Sequence, residues 1–191
     1  MKTIKYEIEF FSNWHCGSGL AAGADVDALV IKDKQGMPYI PGRTMKGLLR
    51  DAASNLHDND IDKGKVIDDI FGVSGDKEGH RTGSAFFSNA VLRPVEYEYI
   101  LANGLTEYLF QSFASTSIDE NGIARNATLR KIETVVPCKL VGEIINVPED
   151  EDAKRMLEDS MHYIKRLGTG RNRGYGRCDI TITEVINEKE A

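Results

Sequence analysis

No run of about eighteen consecutive apolar residues occurs in this sequence, so no membrane span is expected. Its first residues lack the apolar core of a secretory leader and alternate in polarity from residue 3 onward, so no leader is expected either. Cysteine is scarce: Cys16, Cys138 and Cys178 are odd in number and show no Cys-x-x-Cys spacing. That argues against a disulfide framework and a structural zinc site, and for a reducing compartment. Walker and Rossmann glycine spacings are also missing, which removes the commonest nucleotide-binding enzymes. Nor is positive charge in excess. Lys and Arg number 24 against 30 Asp and Glu, giving −6 at pH 7, unlike a typical nucleic-acid binder.

What is present supports one globular domain over residues 1–191, with 41% hydrophobic residues and no internal repeat. Charge is unevenly spread. Acids gather at residues 58–69, at 149–152 and at the end of the chain; bases gather at 43–50, 125–131 and 165–177. A basic groove on an acidic body is compatible with that distribution.

The most organised stretch is 36–50. Pro41-Gly42 breaks an extended run, Thr44 is positioned to cap a helix, and Met45, Leu48, Leu49, Ala52, Ala53 and Leu56 recur with helical spacing. Arg43, Lys46 and Arg50 crowd the first two turns, where the helix dipole disfavours cations. An anion bound at that terminus would explain them; a solvated basic face would explain them equally well.

In chain order, residues 3–11 read as a half-buried strand, and residues 28–32 and 37–40 as a hairpin turned by Asp33-Lys34-Gln35-Gly36. The helix spans about 44–57, residues 58–65 read as a loop, and 66–71 as a short helical turn. Residues 85–92 form a strand, about 95–131 an inserted hairpin, and 132–147 an extended run. A second helix begins at the acids 149–152, carries Ala153, Met156, Leu157, Met161, Ile164 and Leu167, and stops at Gly168. Cys178, Ile180 and Ile182 alternate in a last strand. The order strand, helix, strand, strand, helix, strand is that of an α+β, ferredoxin-like (RRM-like) four-stranded antiparallel sheet with two helices, here with inserted hairpins.

Residues 168–177 hold four glycines, Arg171, Arg173, Arg177 and Tyr175. Glycine lets a ligand approach the backbone, arginine meets phosphate, and an aromatic ring stacks a base, so the segment reads as a contact for single-stranded RNA. His15-Cys16-Gly17-Ser18-Gly19, with the small residues 21–24 behind it, is compatible with a ligand loop or with a merely flexible one.

The segment ending Arg173-Gly174-Tyr175-Gly176-Arg177 resembles the C-terminal glycine-rich loop of the RAMP superfamily of CRISPR systems. Pro38-Tyr39-Ile40-Pro41-Gly42-Arg43-Thr44-Met45-Lys46-Gly47-Leu48-Leu49-Arg50 resembles that superfamily's IPGSSLKGxxR segment, and His15–Gly19 its His-x-Gly loop. The resemblance runs over nearly the whole chain and is nearest to the backbone subunits of type III effector complexes. It implies an RRM-like core that grips CRISPR RNA, here through Arg43, Lys46, Arg50 and the 168–177 loop, and a β-hairpin thumb, here residues 113–136 with Arg125 and Arg130 near the RNA. It implies other effector subunits as partners, stacking of copies on one another, target RNA, and a prokaryotic cytoplasm. Val26-Asp27-Ala28-Leu29-Val30-Ile31 is similar to the segment whose aspartate cuts target RNA with a divalent metal such as Mg2+. Asp27 is therefore the candidate catalyst and metal ligand, with Asp25 its rival and His15 a weaker candidate base. A purely architectural subunit and a metal-independent processing ribonuclease are the alternatives. Arg43-Thr44 replaces two serines of the pattern, and little follows the last strand. Both departures bear on whether copies stack or one stands singly or as an end cap.

Overall fold

The alternation at residues 3–11 is realised as β1 (Lys2–Phe10), the strand around which the main sheet is laid. This computed structural model describes residues 1–20, 26–58, 60–73, 81–125 and 128–187. After β1 come α1 (Gly42–Leu56), α2 (Ile61–Phe71), β2 (Gly72–Val73), β3 (Arg81–Thr82), β4 (Phe86–Phe87), β5 (Val91–Leu92) and α3 (Pro94–Ala102). Then follow β6 (Phe110–Ser115), β7 (Arg130–Val135), β8 (Lys139–Val147), α4 (Glu151–Tyr163) and β9 (Cys178–Asn187). The result is a mixed α/β fold with an antiparallel main sheet and four α-helices among the described residues.

Across the sheet, β4 and β5 pair with β8, β8 with β1, and β1 with β9. Ile4, Tyr6, Ile8 and Phe10 point into the core, where they join Met45 and Leu49 of α1 and Met156, Leu157 and Met161 of α4. The other face is open and ionic. There Lys5 pairs with Glu184 at 2.8 Å, Glu7 with Arg93 and with Lys139 at 3.1 Å, and Glu9 with Lys139 at 3.4 Å.

Several boundaries differ from the sequence reading, each for a local reason. The strand expected over 85–92 is broken: Phe87 faces Ile144 while Val91 faces Val141, so four residues oppose three. The bulge frees Asn89, whose Oδ1 accepts the Gly42 N–H at 2.9 Å and so caps α1 from a distance. Thr44 therefore caps nothing; Pro41 occupies the N-cap and α1 starts at Gly42. Only glycine fits there, since a Cβ would lie 1.9 Å from the Phe87 carbonyl oxygen. The polar stretch 58–65 is not all loop, because Asp60 accepts from the Asp62 and Lys63 amides and starts α2. Residues 95–131 open with a helix, α3, before the hairpin β6–β7. The run 132–147 is divided between β7 and β8, which belong to different sheets. α4 ends at Tyr163, four residues before Leu167.

Candidate nucleic-acid interface

Beyond α4 the chain makes a narrow neck. Leu167 donates to the Gly176 carbonyl at 2.8 Å and Cys178 to the Lys165 carbonyl at 3.0 Å. The loop that the neck closes, residues 168–175, lies against the chain leaving β1: Thr169 N–H meets the His15 carbonyl at 2.9 Å, and Gly176 N–H meets that of Asn13 at 2.8 Å. Gly168 has φ of 89°, and a Cβ there would come within 2.3 Å of the His15 carbonyl oxygen. The glycines thus satisfy the loop's own packing, which presents Arg171 and Arg173 to solvent. Half-buried Tyr175 sets its ring edge-on to Phe113 of β6, 5.8 Å between centroids, so the glycine loop touches the base of the hairpin.

Between this loop and α1 lies an open cleft of about 910 Å³. Lys165, Arg166, Arg171 and Arg173 line one side; Leu48, Asp51 and Asn55 of α1 line the other. The basic residues expected on α1 are turned elsewhere. At about 100° per residue Lys46 stands roughly 160° around the helix from Leu48. Arg50 borders a separate cleft against α2, with His57, Asp60 and Asp68. Arg43 borders a third with Tyr39, Phe86 and Asn89. Burial pushes the Cys16 thiol up, and the nearby Arg43 charge partly offsets this. The expected anion cradle at the start of α1 is also largely closed. Asn89 takes the Gly42 N–H, and the Pro41 carbonyl takes those of Thr44 and Met45 at 2.9 and 3.1 Å.

His15 and Asp27 both bond to β7. The His15 ring is 3% exposed, with Nδ1 2.6 Å from the Glu133 carbonyl, a contact that places the ring proton on Nδ1. Asp27 is exposed; its amide donates to the Lys131 carbonyl at 2.9 Å and its Oδ2 accepts the Lys131 amide at 2.7 Å. Glu133 N–H bonds the Ala28 carbonyl at 3.0 Å, while its carboxylate takes the Val30 N–H at 3.0 Å and Lys32 at 2.8 Å. Lys32 in turn lies 3.8 Å from the centre of the Phe110 ring. The segment around Asp27 is therefore fastened along the hairpin's root. Arg125 and Arg130 are exposed on the hairpin, beside the exposed Phe113, Ile118, Ile123 and Leu129. Asp25 lies outside the described residues.

Among the described residues no three His, Cys, Asp or Glu side chains converge to hold a metal. A hard cation on Asp27 would have to take its remaining oxygens from water and a bound phosphate, which is how Mg2+ often sits on one or two carboxylates. Asp27 fits as a single donor and no more. Three residues of the interface are not singled out by sequence reasoning: Lys165 and Arg166, which fall in the tail of the expected helix, and Phe113. The charge density just ahead of Gly168 is the available signal for the first two.

No curated protein matches the chain in a sequence search. In structure it is similar to a chain of the type III-B Cmr-beta complex bound to cognate target RNA, with TM-score 0.73 and 11% identity, covering 94% of this chain and 96% of that one. It is likewise similar to a chain of the Cmr-beta complex in its apo state, with TM-score 0.72 and 13% identity, covering 95% and 97%. At such identities the likeness is one of fold. The RAMP superfamily model matches residues 7–179, nearly the entire length, and the chain belongs to the RAMP superfamily.

Proposed function

We propose that this chain is an RNA-binding subunit of a type III-like CRISPR effector complex, working in a prokaryotic cytoplasm beside other effector subunits and holding CRISPR RNA and target RNA. Superfamily membership supports it, as does the presence of similar chains in Cmr-beta complexes, one bound to target RNA. In the same reading the core is ferredoxin-like: β4 with β5, then β8, β1 and β9 lie side by side, with α1 and α4 packed together over their buried face.

The observation that carries the RNA reading is the meeting of the glycine loop with the hairpin base through Tyr175 and Phe113, next to Arg171 and Arg173. Guanidinium groups there meet phosphate, and the ring pair offers a face for a base. Asp27 stands at the root of the same hairpin and would hold one divalent cation, which when bound supplies charge to polarise a scissile phosphate. His15, buried and bonded to Glu133, acts as a strut between β1's exit and the hairpin and not as a base. An architectural subunit without chemistry is favoured by one observation: an oxygen of Asp27 is already engaged by the Lys131 amide, and among the described residues no group of three metal-ligating side chains forms around it.

The binding reading is tested by anisotropy of a labelled single-stranded RNA with the full chain. Replacing Arg171 and Arg173 together with Gln should weaken binding and flatten its salt dependence by about 0.7 in logarithmic slope for each phosphate that is no longer neutralised. An unchanged affinity and slope in the double variant would refute it.

A further inference from the structure

We infer a second RNA subsite on the open side of the main sheet, one that stacks a single unpaired base at Phe11 and extends the track that begins in the α1 cleft. The inference rests on the RNA reading above. Phe11 follows β1 directly and continues its outward-facing set, Lys5, Glu7 and Glu9; it is 51% exposed. The register that places Phe10 opposite Cys178 brings Phe11 opposite Arg177, and Phe11 N–H donates to the Arg177 carbonyl at 2.8 Å. The Arg177 guanidinium carbon lies 5.7 Å from the centre of the Phe11 ring, within cation–π range. Its backbone is fixed a second time by its own N–H to Ser12 Oγ at 2.9 Å. Ring and guanidinium therefore start from a set geometry, which lowers the cost of ordering them around a base.

These two side chains share a cleft of about 380 Å³ with Lys165, Arg166, Cys178 and Asp179. That volume is at the small end of ligand pockets, roughly 300–1,000 Å³, and suits one nucleotide. Lys165 and Arg166 also line the α1 cleft, so the two recesses lie on either side of one neck with the same cations between them. Arg166 is held across the neck by donating to the Arg171 carbonyl. Asp179 pairs with Lys165 at 3.0 Å and leaves Arg166 and Arg177 in excess. A strand leaving the loop arginines thus finds phosphate partners on the neck and an aromatic face beyond it.

Charge also limits the site to this corner. The rest of the open face holds Glu7, Glu9 and Glu184 in ion pairs that occupy Lys5, Arg93 and Lys139, so those cations are not free for a phosphodiester chain. Phe86 is more exposed, at 61%, but stands at the far edge opposite Ile145, away from the neck's cations. Among the described residues Phe11 is the aromatic ring of this face that sits under a guanidinium.

The test compares the parent chain, Phe11→Leu, Phe11→Tyr and Arg173→Gln in binding a labelled single-stranded RNA. Phe11→Leu should bind about fivefold to a hundredfold more weakly, the effect of losing one stacked base, with its salt slope unchanged because the ring meets no phosphate. Phe11→Tyr should bind like the parent, and all four proteins should melt alike. Equal affinity of Phe11→Leu and parent, with Arg173→Gln weakened, overturns the subsite and leaves the RNA reading standing. A parent that ignores RNA at low salt overturns both.

Discussion

Exchanging Asp27 for Asn and for Ala separates two roles that one substitution would confuse. The side chain accepts the Lys131 amide at 2.7 Å, so Ala removes a hydrogen bond at the hairpin root along with the charge. Hydrogen bonds to charged groups contribute about 1.5–3 kcal/mol, and exposure of this one brings the expected loss nearer ~1 kcal/mol. That corresponds to roughly fivefold faster amide exchange at Lys131 if local opening governs it. Asn keeps an acceptor oxygen, so its exchange should stay near the parent's, while the negative charge that a hard cation requires is gone. The assay pairs hydrogen exchange over residues 128–135 with magnesium-dependent cutting of guide-paired RNA by the assembled complex. If Asn cuts as poorly as Ala while exchanging like the parent, the carboxylate charge is the requirement. If Asn cuts and Ala does not, Asp27 positions the hairpin. Parent-like cutting by both, with Lys131 exchange unaltered in Ala, would refute every role argued for this residue.

Two glycines of α1 should answer oppositely to alanine. Gly42→Ala drives a methyl to 1.9 Å from the Phe87 carbonyl and should destabilise by at least about 2 kcal/mol, whereas Gly47→Ala meets nothing within 4 Å and should stabilise by about 0.5–1 kcal/mol in urea unfolding; shifts of the same sign would show that the helix start is not held as described. The buried Tyr6 hydroxyl has no hydrogen-bond partner among the described residues, and burial pushes its phenol well above the ordinary range. Tyr6→Phe should therefore be neutral or stabilising by up to about 1 kcal/mol, and a loss of more than that would mean the hydroxyl is satisfied. For Glu7 burial pushes the carboxyl up, but Arg93 and Lys139 outweigh it and hold it below the usual range. Its contribution is thus complete above the unfolded value, about 4.3, and disappears as pH falls through the lower folded value. Glu7→Gln should flatten that part of the acid-unfolding curve; identical acid sensitivity in both proteins would contradict the assignment.

Where pattern and burial coincide, the sequence tells the fold directly. The alternation of β1 and β9, the apolar stripe of α1 and the Asp33–Gly36 turn, closed by Gly36 N–H on the Asp33 carbonyl at 3.1 Å, are all local signals. What escapes is set by partners distant in sequence. The interruption of the strand at 88–90 exists because Asn89 must reach the start of α1, 47 residues earlier. α3 has no buried residue, so no stripe announces it. In the site, the arginines and Tyr175 are legible from composition, but the stripe of α1 that faces them is not. A helical wheel separates buried from exposed positions without saying which exposed flank meets which neighbour. That is why the sequence alone groups Lys46 and Arg50 with the loop, while Asp51 and Asn55 stand there instead.

The acidity of the whole chain then ceases to count against a polyanionic partner. The carboxylates Glu7, Glu9, Glu184, Asp69, Asp152, Glu149 and Glu151 are matched by bases on the same molecule. Among the described residues Arg166, Arg171, Arg173 and Arg177 make no ion pair, although all four lie on or beside one neck. At physiological salt the Debye length is about 8 Å, so a strand lying along that neck responds to these four and to Lys165 far more than to the sum over the chain. A net charge of −6 and a local cationic track are therefore consistent. The pairing of Lys5, Arg93 and Lys139 keeps the track off the open face of the sheet, since a strand displaced there would have to break those pairs and face the freed carboxylates.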